Sequence, residues 1–229
     1  MTSPVLPVGI AELPPLVGQA RPGHTGDRVR DLLRKAIVDG LLPPSTHLNA
    51  ESVARQLGVS HIPVREALRS LAADGWIELR PHLGGFVRAH SEQELADLFE
   101  MRLFLEPRSA AVAAERRTGD QLTELDRILA MQAATDDPVV LAEVNAQFHI
   151  TIAECAQNQL MTSFVRTLSM RTQFYFSTVA PKRYAESLRE HTALVDAVRR
   201  RDSAAAERIG CAHVTSTRVD VLDSLRGRP

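Results

Sequence analysis

Residues 57–71 read LGVSHIPVREALRSL, and this stretch decides the fold of the first part of the chain. Its apolar side chains recur at spacings of four and three, at Val64, Leu68 and Leu71. This spacing predicts a helix with one apolar stripe, and Arg65 and Arg69 lie one turn apart on a different face. Ser60 precedes the helix as an expected N-cap. The stretch therefore predicts a helix that enters the DNA major groove with its arginines outward.

The composition favours a helical protein with an aliphatic core. Hydrophobic residues form 44% of the 229-residue chain and aromatic residues only 4%. No apolar run approaches the roughly 20 residues that a membrane span requires, and residues 1–24 lack the pattern of a signal peptide. We therefore expect a cytoplasmic protein, with reduced thiols at Cys155 and Cys211. Because 27 Lys and Arg nearly balance 28 Asp and Glu, any DNA binding must depend on where the arginines lie.

The segments around the opening stretch predict a complete DNA-binding domain. Residues 1–24 are rich in proline and have no periodicity, which predicts a flexible arm. Amphipathic helices are then predicted over residues 25–40, 50–57 and 61–74. Residues 76–80 alternate apolar and polar, and a turn follows before residues 86–88, which predicts a β-hairpin. Three helices and a hairpin predict a winged helix-turn-helix domain over residues 25–89.

This domain resembles the GntR family of bacterial transcription regulators. Leu57–Ser60 followed by Pro63–Leu68 is close to the family signature LGVSRxPVREAL, and the hairpin residues also match. Two positions differ: Pro44 stands where glycine is usual, and His61 stands where the family has arginine. Histidine is shorter and mostly neutral at pH 7, so the family's usual half-site does not carry over directly.

Five side chains and Ser60 are the candidate DNA contacts. His61 and Arg65 lie near the N-terminus of the predicted reading helix, where base edges are reached. Arg69 and Arg55 are placed to contact phosphate, or else they are solvated surface charges. His82 at the hairpin tip is expected to approach a phosphate or the minor groove.

The rest of the chain, residues 90–229, predicts an all-helical antiparallel bundle. Ser91 and Glu94 form a capping box pattern that opens a long helix, which we expect to end at Gly119. Further helices are predicted over residues 120–134, 138–157, 159–180, 182–200 and 202–225. No alternating segment follows residue 90, so the fold class is mainly α.

Three histidines fall on three different predicted helices of this bundle. They are His149, His191 and His213, and Asn145 lies one turn before the first. Taken alone, each histidine would more often be a hydrogen-bonded core residue or simply an exposed one. Together they suit a cation held inside a helix bundle.

This half resembles the FCD-type ligand-binding domain of the FadR-like branch of the GntR family. The resemblance rests on Glu100–Glu106, which is similar to the motif ExRxx[LI]E, and on the positions of the histidines. It implies a divalent metal, Zn²⁺ or Ni²⁺, bound by His149, His191 and His213. Metal-binding members have aspartate where this chain has Asn145, whose carbonyl brings no negative charge and should weaken binding.

A small organic acid is the expected effector. A cation at Arg102, facing the bundle interior, would pair with its carboxylate. The alternative for Arg102 is a salt bridge with Glu106 at i,i+4. Arg171 and Tyr175 are further candidates for effector binding.

These features predict a transcription regulator that represses by binding a palindromic operator in double-stranded DNA as a homodimer. Binding of the organic acid would change the arrangement of the helices and so the affinity for the operator. Two alternatives remain open at this stage. One is a metal-dependent enzyme using the three histidines, and the other is a regulator whose metal is purely structural.

Overall fold

The computed structural model describes residues 9–16, 25–89, 91–177 and 179–227. The chain folds as two compact units, Met1–Ala89 and His90–Pro229. Among the described helices, none is both long enough and apolar enough to cross a lipid bilayer.

The N-terminal unit contains three helices and a small sheet. They are α1 (Thr25–Val38), β1 (His47–Leu48), α2 (Ala50–Leu57), α3 (His61–Ala73), β2 (Ile77–Arg80) and β3 (Gly84–Val87). Asn49 begins α2 by accepting hydrogen bonds from the backbone N–H groups of Glu51 and Ser52, and Gly58 follows its last turn. Both α1 and α2 pack on α3. The predicted winged helix-turn-helix fold is confirmed.

The wing is part of a three-stranded antiparallel sheet with the order β1-β3-β2. Arg80 pairs with Gly84, so the three residues between them form the wing tip. The ring of His47 in β1 stacks on Phe86 in β3 with 4.7 Å between the ring centroids. The same imidazole hydrogen-bonds through Nε2 to the backbone carbonyl of Leu83. The short strand β1 therefore holds the wing tip in place.

The described part of the N-terminal segment is packed, which corrects the prediction of a flexible arm over residues 1–24. A single 3-10 turn, Ile10–Glu12, lies beside α2, and Ile10 and Leu13 are fully buried. Gln56 of α2 donates hydrogen bonds to the carbonyl groups of Ala11 and Leu13. Two apolar residues in a proline-rich segment suffice to hold it against the domain. The remainder of the predicted arm lies outside the described residues.

The described residues of the C-terminal unit form six helices. They are α4 (Glu92–Arg116), α5 (Gly119–Ala133), α6 (Pro138–Cys155), α7 (Gln159–Phe176), α8 (Ala180–Arg199) and α9 (Ser203–Arg226). The predicted all-helical bundle is confirmed. Two predicted boundaries were wrong. Gly119 begins α5 instead of ending α4, and α7 ends at Phe176 instead of at residue 180. Thr118 caps α5 in a reciprocal capping box with Gln121.

The close crossing of α4 and α9 positions the site described below. A Cβ atom built at Gly210 in α9 would lie 3.3 Å from the Cα atom of Pro107 in α4, which is tighter than most packing contacts. Glycine at this position therefore lets the two helices approach closely. Glu106 and His213, each close in sequence to this crossing, line the same small cavity.

Candidate DNA interface and candidate metal centre

The α3 helix presents one buried face and one exposed cationic face. Val64 and Leu71 are fully buried and Leu68 nearly so, as the spacing predicts. His61, Arg65 and Arg69 are exposed on the other side. Within the part of the chain that the structure describes, none of these three side chains has a hydrogen bond or an ion pair. They are therefore available to an external partner.

The other predicted DNA contacts also lie at the surface of this unit. Arg55 on α2 and His82 at the wing tip are exposed. His82 has a positive φ of 61°, which a non-glycine residue adopts only in special turns. Ser60 occupies the N-cap position of α3, but its hydroxyl makes no capping hydrogen bond. The prediction that the Ser60 side chain caps α3 was therefore wrong. The hydroxyl is exposed at the N-terminus of α3, the end of the helix that DNA would approach.

A cleft of about 650 Å³ separates α3 from the wing. Arg65 and Arg69 line one side, and Arg80 at the end of β2 lines the other. The Arg80 guanidinium lies 4.4 Å from the ring centroid of Phe86 and forms an ion pair with Glu78. Sequence reasoning missed Arg80, because it read the residue only as a polar position in an alternating strand. The cleft therefore carries guanidinium groups on both walls, which suits an anionic partner.

The three histidines converge in the C-terminal unit. His149 of α6, His191 of α8 and His213 of α9 are all at least 95% buried, with exposed fractions of 5%, 0% and 2%. One ring nitrogen from each lies within 4.8 Å of the others. The Nε2 atoms of His149 and His213 are 3.2 Å apart.

The outer nitrogen of each imidazole is held by an oxygen atom from another helix or turn of the bundle. The Nδ1 atom of His149 lies 3.0 Å from Glu106 Oε2, and that of His213 lies 2.8 Å from Glu190 Oε2. The Nδ1 atom of His191 lies 2.8 Å from Gln132 Oε1. Carboxylate and amide oxygens only accept hydrogen bonds, so each Nδ1 carries the proton.

Three neutral imidazoles protonated at Nδ1 turn three unprotonated Nε2 atoms toward one another. Two lone pairs 3.2 Å apart repel unless a cation or a proton lies between them. The Nε2 atom of His191 and the Oδ1 atom of Asn145 are buried without a partner among the described residues. Outer oxygens that orient the imidazoles in this way are typical of metal sites. The donor set therefore fits a divalent metal.

Burial and charge keep His191 and His213 neutral. Burial lowers the pKa of His213 to about 4, although the hydrogen bond to Glu190 opposes that shift. Burial and the neighbouring His213 lower the pKa of His191 well below its ordinary value. Neutral imidazole is the form that ligates metals, so both residues are ready to bind at pH 7.

Arg102 is buried at the edge of the cluster and already has a carboxylate partner. Its Nε and Nη2 atoms lie 2.6 and 3.0 Å from the two oxygens of Glu106. Burial alone would raise the pKa of Glu106, but Arg102 and His149 outweigh it and hold that pKa well below its usual range. The Nη2 atom is also 3.3 Å from His149 Nε2, and Nη1 is buried without a partner among the described residues. The salt bridge with Glu106, which was the alternative role predicted for Arg102, is present. The Nη1 donor group remains available to a further acceptor.

A second buried cation, Arg183, was missed by sequence reasoning. It is 3% exposed and donates to Glu190, the carboxylate that orients His213. It also pairs with Asp220 and donates to Thr217. Arg183 and Glu190 are seven residues apart and so share one face of α8, but this spacing alone does not predict an ion pair.

The structure places two predicted effector residues away from the histidines. Arg171 is exposed on α7, so the interpretation that it points into the cavity was wrong. Tyr175 is buried, but its hydroxyl donates to Glu94 and accepts from the backbone N–H of Ser91 at the start of α4. That position is about 18 Å along α4 from Glu106. Tyr175 therefore stabilises the start of a helix, outside the cluster.

The cavity beside the histidines is nearly closed. Its volume is about 10 Å³, and it is lined by Glu106, His149 and His213 with three apolar residues and Ser109. This volume accommodates about one water molecule or ion. An organic acid therefore enters only if the helices around the cavity move apart.

A winged helix-turn-helix unit with an exposed cationic helix, joined to a helical unit with a buried polar cluster, defines a DNA-binding regulator with a second, all-helical domain. The model of the bacterial regulatory proteins of the GntR family matches residues 25–87, and the FCD domain model matches residues 97–216. The chain belongs to the GntR family and carries an FCD domain. It is a DNA-binding transcription regulator and not an enzyme.

Named relatives and a solved structure agree with this assignment. The HTH-type transcriptional repressor RspR of Escherichia coli is 30% identical over 80% of this chain and 82% of its own length. The galactonate operon transcriptional repressor of the same species is 26% identical over 83% of this chain and 94% of its own. The structure of E. coli McbR/YncC has a TM-score of 0.69 and 21% identity, covering 88% of this chain and 98% of that one. The last comparison shows the fold alone.

The buried histidines make stability depend on pH. Because the pKa of His213 is about 4 in the folded protein and near 6.5 unfolded, the unfolded chain binds more protons between these values. The free energy of unfolding of the metal-free protein should therefore fall as pH decreases through this window, with roughly 3 kcal/mol from His213. Urea unfolding with a chelator, for wild type and His213→Asn, measures this. An equal pH slope in both proteins would contradict it.

Proposed function

We propose that the protein is a repressor that binds a palindromic operator as a homodimer in the cytoplasm. The observation that carries this is the row of unpaired, exposed side chains on α3, His61, Arg65 and Arg69. One reading helix contacts too few bases for useful specificity, and two-fold proteins match two-fold operators. Two similar proteins of E. coli, RspR and the galactonate operon repressor, are transcriptional repressors, which supports repression.

The C-terminal cluster is proposed to hold a divalent metal, Zn²⁺ or Ni²⁺. His149, His191 and His213 would bind it through Nε2, with the carbonyl of Asn145 as a fourth protein donor. The support is the set of three inward lone pairs and the two buried acceptor atoms without partners. A metal bound there supplies a Lewis acid that attracts an anion. The neutral donor set leaves the full positive charge of the cation uncompensated by its ligands.

A small carboxylate is the proposed effector. Arg102 keeps one buried donor group, Nη1, free of partners among the described residues, while its other nitrogens hold Glu106. A carboxylate next to the histidines would accept from that group and offset the charge of the metal. The galactonate operon repressor, named for an acid, is consistent with this class.

Because the cavity is nearly closed, effector binding would move helices of the C-terminal unit. We propose that this movement changes the affinity for DNA. Because about 10 Å³ does not hold an organic acid, binding requires α4, α6 or α9 to shift. A ligand that binds only the shifted arrangement moves the protein toward it. The alternative of a purely structural metal predicts a cavity that stays closed and an operator affinity that carboxylates do not change.

The roles of the α3 residues are tested by two substitutions. Arg65→Ala should weaken operator binding at least tenfold, since it removes a contact at the base edges, whereas His61→Arg should change the preferred operator sequence. Selection of bound sequences and fluorescence anisotropy measure both effects, with Lys35→Ala on α1 as the control. Recovery of the same operator by wild type and His61→Arg would show that His61 does not read bases.

The metal proposal is tested at Asn145. Asn145→Asp adds a negative charge to the donor set and should tighten Zn²⁺ or Ni²⁺ binding about tenfold or more, whereas Asn145→Ala should weaken it. Calorimetric titration with each metal measures the affinities, and a folded circular dichroism spectrum controls for structure. Equal affinity in all three proteins would exclude residue 145 as a ligand.

The effector proposal is tested with galactonate, lactate and citrate as probes. At least one should change operator affinity of the metal-loaded protein and should have little effect after chelation. Arg102→Lys keeps the positive charge but loses the planar guanidinium group. The change in operator affinity that the active probe causes should therefore be about tenfold smaller in this variant. If chelated and loaded proteins responded equally, or no probe had an effect, the metal would be structural or the effector of another class.

A further inference from the structure

One large apolar side chain, Ile62, is exposed among the charged residues of α3. Ile62 is 59% exposed and belongs to the first turn of the helix, directly after His61. It precedes the buried Val64 by two residues, which places it about 200° around the helix axis, on the side opposite the buried stripe. Arg65 and Arg69 follow it by three and seven residues and so share its outward side. The cationic face of α3 is therefore apolar at its N-terminal end.

Grooves lie on both sides of this outward face. The cleft of about 650 Å³ separates α3 from the wing, and Arg65 and Arg69 line it on α3. A second groove, of about 420 Å³, separates α3 from the start of α1, and Pro63 and Glu66 line it on α3. Ile62 lies on the ridge between the two grooves. The two phosphate backbones border the major groove, so a helix that enters by this ridge brings Ile62 to the base edges at the groove floor.

The exposed apolar side chains of the N-terminal unit are not scattered. Among its described residues, three large hydrophobic side chains are exposed, namely Ile62, Leu79 at 43% and Leu83 at 56%. Leu79 and Leu83 both line the cleft between α3 and the wing. All three therefore border the surface that carries the arginines. Exposed apolar groups that gather on one surface mark an interaction site.

The chemistry of an aliphatic side chain selects its contact on DNA. Phosphate oxygens and the polar groups of the base edges pair with charged or hydrogen-bonding side chains, and isoleucine is neither. The one apolar group that B-DNA presents in the major groove is the C5-methyl group of thymine. Isoleucine is also branched at Cβ, so its side chain is stiff and loses little rotamer freedom on contact.

We propose that Ile62 recognises the C5-methyl group of one thymine in each half of the operator. The contact removes the methyl group and the side chain from water together, and it adds a sequence preference to the contacts of His61 and Arg65. Cytosine lacks the methyl group and is disfavoured at that position. This inference rests on the proposed role of α3 as the reading helix of a two-fold operator, and it adds one base position to what that helix reads.

Replacement of thymine by uracil tests the contact, because it removes the methyl group and leaves the hydrogen-bonding groups of the base in place. Once selection has identified the operator, each thymine is replaced in turn, symmetrically in both half-sites, and fluorescence anisotropy measures the affinity. For the wild type, one position should lose about fourfold in affinity for each methyl group removed. For Ile62→Ala, the thymine and uracil operators should bind equally at that position.

Two further variants separate a methyl contact from general damage. Ile62→Val keeps a branched apolar side chain and should keep a preference for thymine of about twofold or more. Val219→Ala is the matched control, since Val219 is 52% exposed but lies on α9, in the C-terminal unit. Its preference for thymine should equal that of the wild type. Each preference compares two operators on one protein, so a partial loss of folded protein leaves the ratio unchanged.

The outcomes separate this inference from the proposed function. A wild type that loses affinity at no thymine position overturns the inference. An equal loss in the wild type and in Ile62→Ala also overturns it, because another residue or the shape of the DNA would then sense the methyl group. In both cases a weakened Arg65→Ala variant leaves α3 as the reading helix. If neither Arg65→Ala nor Ile62→Ala changes operator binding, the proposed role of α3 fails together with this inference.

Discussion

The C-terminal unit depends on the hydrogen bonds that hold the outer nitrogen of each histidine. Glu106, Glu190 and Gln132 each accept a hydrogen bond from one imidazole N–H, and so they fix which nitrogen faces inward. Without these acceptors the rings would be free to rotate or to exchange tautomers. The inward convergence of lone pairs is therefore built by residues one layer outside the cluster.

The two carboxylates of that outer layer are themselves neutralised by buried arginines. Arg102 forms a two-point ion pair with Glu106, and Arg183 holds Glu190 while reaching the half-exposed Asp220. Breaking one partner of such a pair strands a buried charge at a large cost in stability. The arginines thus help to keep both carboxylates ionised, and ionised carboxylates accept hydrogen bonds from the histidine N–H groups.

Local patterns in the sequence predicted the elements well, because helix periodicity and capping depend on near neighbours. The α3 stripe and the start of α4 at Ser91 are examples. Contacts between helices were harder to predict. The local sequence does not distinguish Arg171 from Arg183. Arg171 is exposed and Arg183 is buried, because packing between helices decides which face of each helix is buried. The packed turn at Ile10 was not predicted, because the prolines around it indicated a flexible segment.

The size of the cavity at the histidines bears on how fast, and at what concentration, the proposed effector would act. A molecule larger than a water must wait for the helices to open, so its rate of association saturates at the opening rate. Its apparent affinity is also reduced by the fraction of molecules that are open at any moment. The close contact between Gly210 and Pro107 joins α9 to α4, which both border the cavity. The concentration at which a ligand would act therefore depends on how tightly the helices pack as well as on the groups that bind it.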